Sequence, residues 1–273
     1  TVDISLVCVF CTAFGVSQLA PILPLYFHDL GVQTPEAMSL WSGLATGATY
    51  IIVCLAAPFW GRVADKKGRK ITLIRSSFGM ALCNILIAFQ TTPEGVVLIR
   101  LVQGLVSGFY SASITLIASE SPIERTGWAL GLLASANLAG SLIGPLLGGY
   151  IADTVGIRND FIIVGALMGL AGVLATIFIH ENYVPQPNPE KLSIRKLKEQ
   201  IPEFNSIVAL CVASFIYAIC IMSLQPVISV YIKGIVPSNT ENLAFIAGAV
   251  FSAMGIAQLM SSSPLGKLVD KIG

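Results

Sequence analysis

The segment Gly61-Arg-Val-Ala-Asp65-Lys-Lys-Gly68 returns near the end of the chain as Gly266-Lys-Leu-Val-Asp270-Lys-Ile-Gly273. The offset of 205 (266 − 61) holds without a gap upstream, where Pro21 falls on Pro226, Tyr26 on Tyr231 and Gly43 on Gly248. A repeat at that distance in an apolar chain implies two homologous halves. Tandem halves related by an axis along the membrane normal form a transporter architecture, with the substrate path at their interface.

The solvent of such a chain follows from its shortage of charge. Only 11% of residues are charged and 55% are hydrophobic, with a mean hydropathy of +0.80, whereas soluble domains carry about 25% charged residues. This surface must face lipid. A net charge of +1 implies no basic face for nucleic acid. The six cysteines (8, 11, 54, 83, 211 and 220) all lie in apolar runs. Cys8-Val-Phe-Cys11 has the spacing of a metal or redox pair but no third ligand close by, so it reads as two small apolar residues. No cofactor is implied.

About 20 apolar residues cross a bilayer as a helix. Eight runs qualify: 4–26, 39–60, 71–89, 95–119, 127–151, 160–179, 206–232 and 243–264. If they alternate, Arg62, Lys66, Lys67, Arg69, Lys70, Arg75, Arg125, Lys191, Arg195, Lys196, Lys198, Lys267 and Lys271 share one side, against Arg158 and Lys233 on the other. The basic side is expected to be cytoplasmic, with the amino terminus on it. Residues 1–180 are read as a six-helix bundle, 181–204 as a linker and 205–273 as the start of a second bundle. Pro185, Pro187 and Pro189 open the linker. Beyond them Ile194, Leu197 and Ile201 share a face, either as an amphipathic helix on the membrane surface or as a solvated tether. By the repeat, counterparts of the third to sixth runs would fall at about 276–384. The sequence is thus expected to be a fragment of a twelve-span chain of about 400 residues.

Within the basic loop, Gly61 is expected to let helix ends approach, Gly68 to turn the chain, and Asp65 to cap or face a helix N-terminus. In the fifth run Gly140, Gly144 and Gly148 recur every fourth residue, giving one face on which a neighbour can pack closely. Pro145 can kink that helix. Arg100 is the only cation in the interior of a run, Arg75 lying at the edge of the basic loop; Arg100 either faces a cavity or snorkels to the near end.

The loop Gly61-x-x-x-Asp65-x-x-Gly68-Arg69-Lys70 resembles the signature loop of the major facilitator superfamily, and the resemblance runs through all 273 residues. Pro21-Ile-Leu-Pro24 is similar to the PxxP of the family's drug exporters. Arg100-x-x-Gln103-Gly104-x-x-x-Gly108 resembles its second motif, and Gly140-x-x-x-Gly144-Pro145-x-x-Gly148-Gly149 its antiporter motif. The run from Trp41 to Lys70 is especially similar to the MdtG-type branch of bacterial multidrug exporters. The resemblance implies an all-α integral membrane protein with the major facilitator fold, two pseudo-symmetric six-helix bundles, here cut after the eighth span. It also implies a bacterial inner-membrane location. Gly61, Asp65, Gly68, Arg69, Glu120, Gly140, Gly144, Pro145, Gly148 and Gly149 would serve gating, with Arg69 and Glu120 as a pair. Arg100 would assist proton movement.

Proton antiport asks for a carboxylate in the membrane, and no run has one in its middle. Asp3, Asp29 and Glu120 are the candidates. Phe14, Gln18, Asn84, Gln103, Tyr110, Asn137, Tyr217, Gln225 and Gln258 are candidates for lining a substrate path, with hydrogen bonding between helices the alternative for each amide. His28 and His180 are the only histidines, and no phosphate loop or paired-histidine metal motif is present, so neither enzyme chemistry nor direct use of ATP is expected. The expected function is proton-coupled export of amphipathic compounds by alternating access, with a single chain as the working unit. A sugar or metabolite carrier and a non-transporting receptor or scaffold are the alternatives.

Overall fold

The computed structural model describes residues 2–181, 204–236 and 242–272; the side chains of Ile123, Asn205, Gln258 and 262–272 are not among those described. Every regular element among the described residues is a helix: α1 (Val2–Ser17), α2 (Leu19–Asp29), α3 (Pro35–Lys67), α4 (Arg69–Ala88), α5 (Pro93–Val106), α6 (Phe109–Glu120), α7 (Ile123–Val155), α8 (Ile157–Phe178), α9 (Phe204–Ile235) and α10 (Leu243–Ile272). Seven stretches are long and apolar enough to cross a membrane, and the bent pair α1–α2 makes an eighth. Those eight correspond to the eight apolar runs.

Two runs read as continuous helices are broken. The first breaks at Gln18, with a bend of 42°. Pro21 explains the position. It has no N–H to give Ser17, and its ring crowds that carbonyl. The flanking bonds are stretched, Gln18 N to Phe14 O and Ile22 N to Gln18 O both at 3.4 Å. The fourth run breaks between α5 and α6, where Gly108 sits at φ 111°. Elsewhere the helices outrun their apolar stretches: α3 starts at Pro35, with Thr34 accepting from Ala37 N at 3.3 Å, and runs on to Lys67, where Gly68 at φ 94° ends it.

The closest helix partnerships are α4 with α8, α1 with α7, and α7 with α10. One core cluster gathers Cys8, Leu73, Phe109, Leu116, Leu133 and Ala171; a second gathers Ile22, Tyr26, Phe27, Ile87, Val96 and Phe161. Many large apolar side chains point outward, among them Leu55, Phe89, Trp128 and Leu210. That inversion suits a chain whose solvent is hydrocarbon. Below, the end carrying Lys66–Lys70 is the basic end and the opposite one the far end. The linker expectation falls on residues outside the described ones, apart from Glu181 and Phe204 at its two ends.

Candidate functional site

A cavity of about 520 Å³ lies among α1, α3, α5, α6 and α7, with Thr12, Ser17, Tyr50, Arg100, Gln103, Tyr110 and Asn137 in its wall. A second space of about 420 Å³ shares Ser17, Tyr50 and Arg100 with the first and extends to α9 and α10 through Tyr217, Gln225 and Phe251. Residues from both sequence halves therefore meet around Arg100. Its side chain does not snorkel; it is 6% exposed and turned to the cavity. Arg100 Nη1 donates to Gln103 Oε1 at 2.7 Å, while Nε has no partner. Thr49 Oγ1 donates to the Arg100 carbonyl at 3.0 Å, tying α3 to α5. Gly104 brings the same two helices together, because a Cβ there would strike the Thr49 carbonyl.

The break at Ser107–Gly108 leaves carbonyls without helical donors. Arg75 on α4 reaches across, its Nη1 donating to Leu105 O at 3.2 Å and its Nη2 to Ser107 O at 3.0 Å. Trp60 Nε1 also donates to Leu105 O at 2.7 Å, and the Arg75 guanidinium stacks 3.5 Å from the Trp60 ring centroid. In the sequence Arg75 counts only among the cations of the basic side; its role depends on a helix break that periodicity does not reveal.

The glycines of α7 face two ways. A Cβ on Gly140 or Gly144 would overlap the backbone of α1 at Phe10 and Phe14, and one on Gly148 would strike the Gln18 side chain. A Cβ on Gly149 would instead strike Ala244 on α10, whose Gly248 lies flush against the Pro145 carbonyl. Close by, Ser252 Oγ donates to the Leu142 carbonyl at 2.6 Å. So α7 is a spine between the first span and the eighth. Gly61 departs from expectation: among the described residues nothing lies within 4 Å of a Cβ placed there. No helix end among the described residues is brought close by it.

Gly68 has φ 94° and ψ 158°, a conformation reserved in practice for glycine. The N-terminus of α4 that follows is capped by Glu181, whose Oε1 and Oε2 accept from Arg69 N at 2.7 Å and Lys70 N at 2.8 Å. Asp65 lines a separate basic-end cavity of about 350 Å³ with Trp60, Arg69, Arg75 and Thr115. At the far end, Asp153 accepts from Ala244 N at 3.1 Å and Phe245 N at 2.7 Å, capping α10. Neither Glu181 nor Asp153 was singled out from sequence. A signal for Asp153 did exist: Gly149-x-x-x-Asp153-x-x-Gly156 has the spacing of Gly61-x-x-x-Asp65-x-x-Gly68, and Gly156 (φ 90°, ψ 149°) repeats the backbone of Gly68.

The remaining candidates scatter. Gln103, Tyr110, Asn137, Tyr217 and Gln225 line the two central spaces. Phe14 packs into a small core with Met80, Val164 and Met168. Asn84 is fully buried, donating to Met80 O at 2.9 Å and Met168 Sδ at 3.3 Å. Gln258 lies on α10, its side chain outside the described ones. Asp3 is exposed, Asp29 sits at the far rim 3.8 Å from His28, and Glu120 ends α6. Gln18 is fully buried and donates through Nε2 to Asp160 Oδ2 at 3.0 Å. Asp160 itself is 0% exposed. It escaped the sequence reading because it stands at the edge of an apolar run, where carboxylates usually meet water.

Residues 5–273 match the family model described as Major Facilitator Superfamily. Over 264 residues the chain is 37% identical to the Multidrug resistance protein MdtG of Proteus mirabilis (strain HI4320) and to that of Rahnella sp. (strain Y9602), alignments that take in 97% of this chain. It spans 65% and 64% of the length of those two relatives. Among solved structures it resembles a D-xylose-proton symporter, with a TM-score of 0.67 and 15% identity over 100% of this chain and 69% of that one. It also resembles the human organic anion transporter MFSD10, with a TM-score of 0.64 and 16% identity over 93% and 70% of the two chains. At such identities the likeness to the solved structures is one of fold.

Proposed function

The chain belongs to the Major Facilitator Superfamily, and from that premise we propose that it works as a multidrug exporter, moving amphipathic compounds outward in exchange for protons. The observation that carries this reading is the space around Arg100, walled by both sequence halves and lined mostly by apolar, aromatic and amide groups. Such a wall suits lipophilic substrates, which bind through area more than matched charge. The 37% identity to MdtG proteins supports the drug-export branch.

In this reading residues 1–180 form one bundle and 205–273 begin its partner, and the two rock about the Arg100 cavity. The basic end faces the cytoplasm of a bacterial cell, with the amino terminus on that side and the bundles in the inner membrane. Asp65, Gly68 and Arg69 belong to the cytoplasmic gate, with Glu120 beside it. The α7 glycines and Pro145 form the stiff seam on which the bundles turn. Arg100 assists proton movement, and Gln103, which accepts from it, lines the substrate path. A single chain is the working unit, and no bond is made or broken in the cargo.

The test uses the full-length protein in inside-out proteoliposomes with chloramphenicol, a neutral aromatic amide, as probe. An imposed proton gradient should drive its accumulation. Accumulation indifferent to the gradient would sink antiport; no movement at all would sink transport.

A further inference from the structure

Asp160 stands in the first turn of α8, its backbone N–H bonded to Gly156 O at 3.1 Å and its carboxyl group wholly enclosed. Among the described residues its side chain accepts from the amide of Gln18. The remaining oxygen of each group, Asp160 Oδ1 and Gln18 Oε1, is buried without a partner. An ionisable group enclosed within a membrane span is expensive unless paired, and is a functional candidate for that reason.

Gln18 is placed where a change at Asp160 would be felt. It is the residue between α1 and α2, at the 42° bend of the first span. It fills the space that Gly148 leaves open on α7. Its neighbour Ser17 lines both central spaces and donates to Gly140 O at 3.4 Å.

We propose that Asp160 is the proton-binding carboxylate of the exchange cycle and that Gln18 positions it. The proposal rests on the antiport reading above. In the ionised state Gln18 Nε2–H donates to Asp160 Oδ2, the arrangement seen. When a proton from the far side binds Oδ2, the new O–H becomes a donor. A half-turn of the Gln18 amide then presents Oε1 as its acceptor. One side-chain pair thus serves both states with one hydrogen bond each. The proton leaves to the cytoplasmic side when substrate occupies the cavity, restoring the carboxylate; one proton enters and one departs per cycle. Turning the amide also changes what Gly148 packs against, so protonation is felt at the α1–α7 seam.

Other charges near this pair are engaged elsewhere or lie toward the other end. On α2, Tyr26 Oη donates to Ile87 O at 2.7 Å, and His28 sits 3.8 Å from Asp29. On α7, Asp153 holds the α10 amides, with Tyr150 beside it and Glu124 and Arg125 at the basic end. On α8, Arg158 donates to Gln90 O at 3.3 Å. On α4, Cys83 is a buried thiol, while Arg69, Lys70 and Arg75 belong to the basic half. On α1, Asp3, Cys8 and Cys11 lie toward the basic end. No salt bridge to Asp160 forms among the described residues.

Three measurements on the full-length protein test this. Purified wild type in detergent, monitored with a pH dye, should release protons when chloramphenicol is added. Asp160→Asn should lose that release and the gradient-driven accumulation, yet keep chloramphenicol counterflow between preloaded vesicles, which needs no net proton movement. Asp160→Asn with wild-type proton release overturns the assignment. Should that variant fail to fold, Asp160→Glu decides. It should keep proton release with a displaced pH midpoint, and an unmoved midpoint overturns the proposal. Gln18→Leu should also displace the midpoint. Wild type that moves chloramphenicol but releases no proton overturns the antiport reading, and the site with it.

Discussion

At the scale of single residues, Arg100 and the glycines separate charge from shape. Arg100 presents a planar fork to Gln103 Oε1 inside the cavity wall. Lysine keeps the charge but not the fork. Arg100→Lys should therefore cut chloramphenicol flux about ten-fold, a loss of roughly 1.4 kcal/mol; wild-type flux would show that charge alone suffices. Gly144→Ala should destabilise the protein by about 1–3 kcal/mol, since the new methyl meets the fixed Phe14 backbone. Gly61→Ala meets open space, so its stability should stay within about 0.5 kcal/mol of wild type. Thermal melts of the two variants in one detergent check the contrast. Spacing alone revealed the α7 glycine face but could not distinguish Gly61 from Gly144, because both read as small residues near a helix contact. Asp160 was invisible for a related reason. Sequence shows that a carboxylate borders an apolar run, not that neighbouring helices seal it in.

Among helices, two carboxylates make the same kind of contact with different consequences. Glu181, just past the sixth span, caps α4 in the first sequence half, whereas Asp153 caps α10, which belongs to the second. Losing either cap should cost about 0.5–2 kcal/mol. Glu181→Ala should lower thermal stability and leave the distance between the far ends of α7 and α10 unchanged. Asp153→Ala should shift that distance distribution outward, as read by spin labels on the two helices. An unshifted distribution would mean that the cap holds nothing shut. The eight apolar runs matched eight spans because burial in lipid imposes length and composition directly. The breaks at Gln18 and Ser107–Gly108 did not show, because a broken span keeps the composition of an intact one. Only Pro21 hinted at the first.

For the whole molecule, the basic loop predicts which end faces which compartment. A cysteine placed at Lys66 and one placed at Arg158 should react with an impermeant maleimide from opposite sides of the membrane, the first only from the cytoplasm. Labelling of both from one side would overturn the topology. The second copy of the loop at 266–273 makes the internal repeat legible in the sequence itself.

The grip of Asp153 on Ala244 and Phe245 has a bearing on how easily such a protein changes shape. The two amides it holds belong to the first turn of a helix close to the membrane surface. As the ends part, water can take them over at once. A hydrogen bond exchanged for water is worth only about 1 kcal/mol net, so the fastening works less like a bolt than like a magnet on a door. In the exchange cycle proposed above it would keep the resting protein shut against leakage, yet release under the modest push that a bound cargo molecule or a proton supplies.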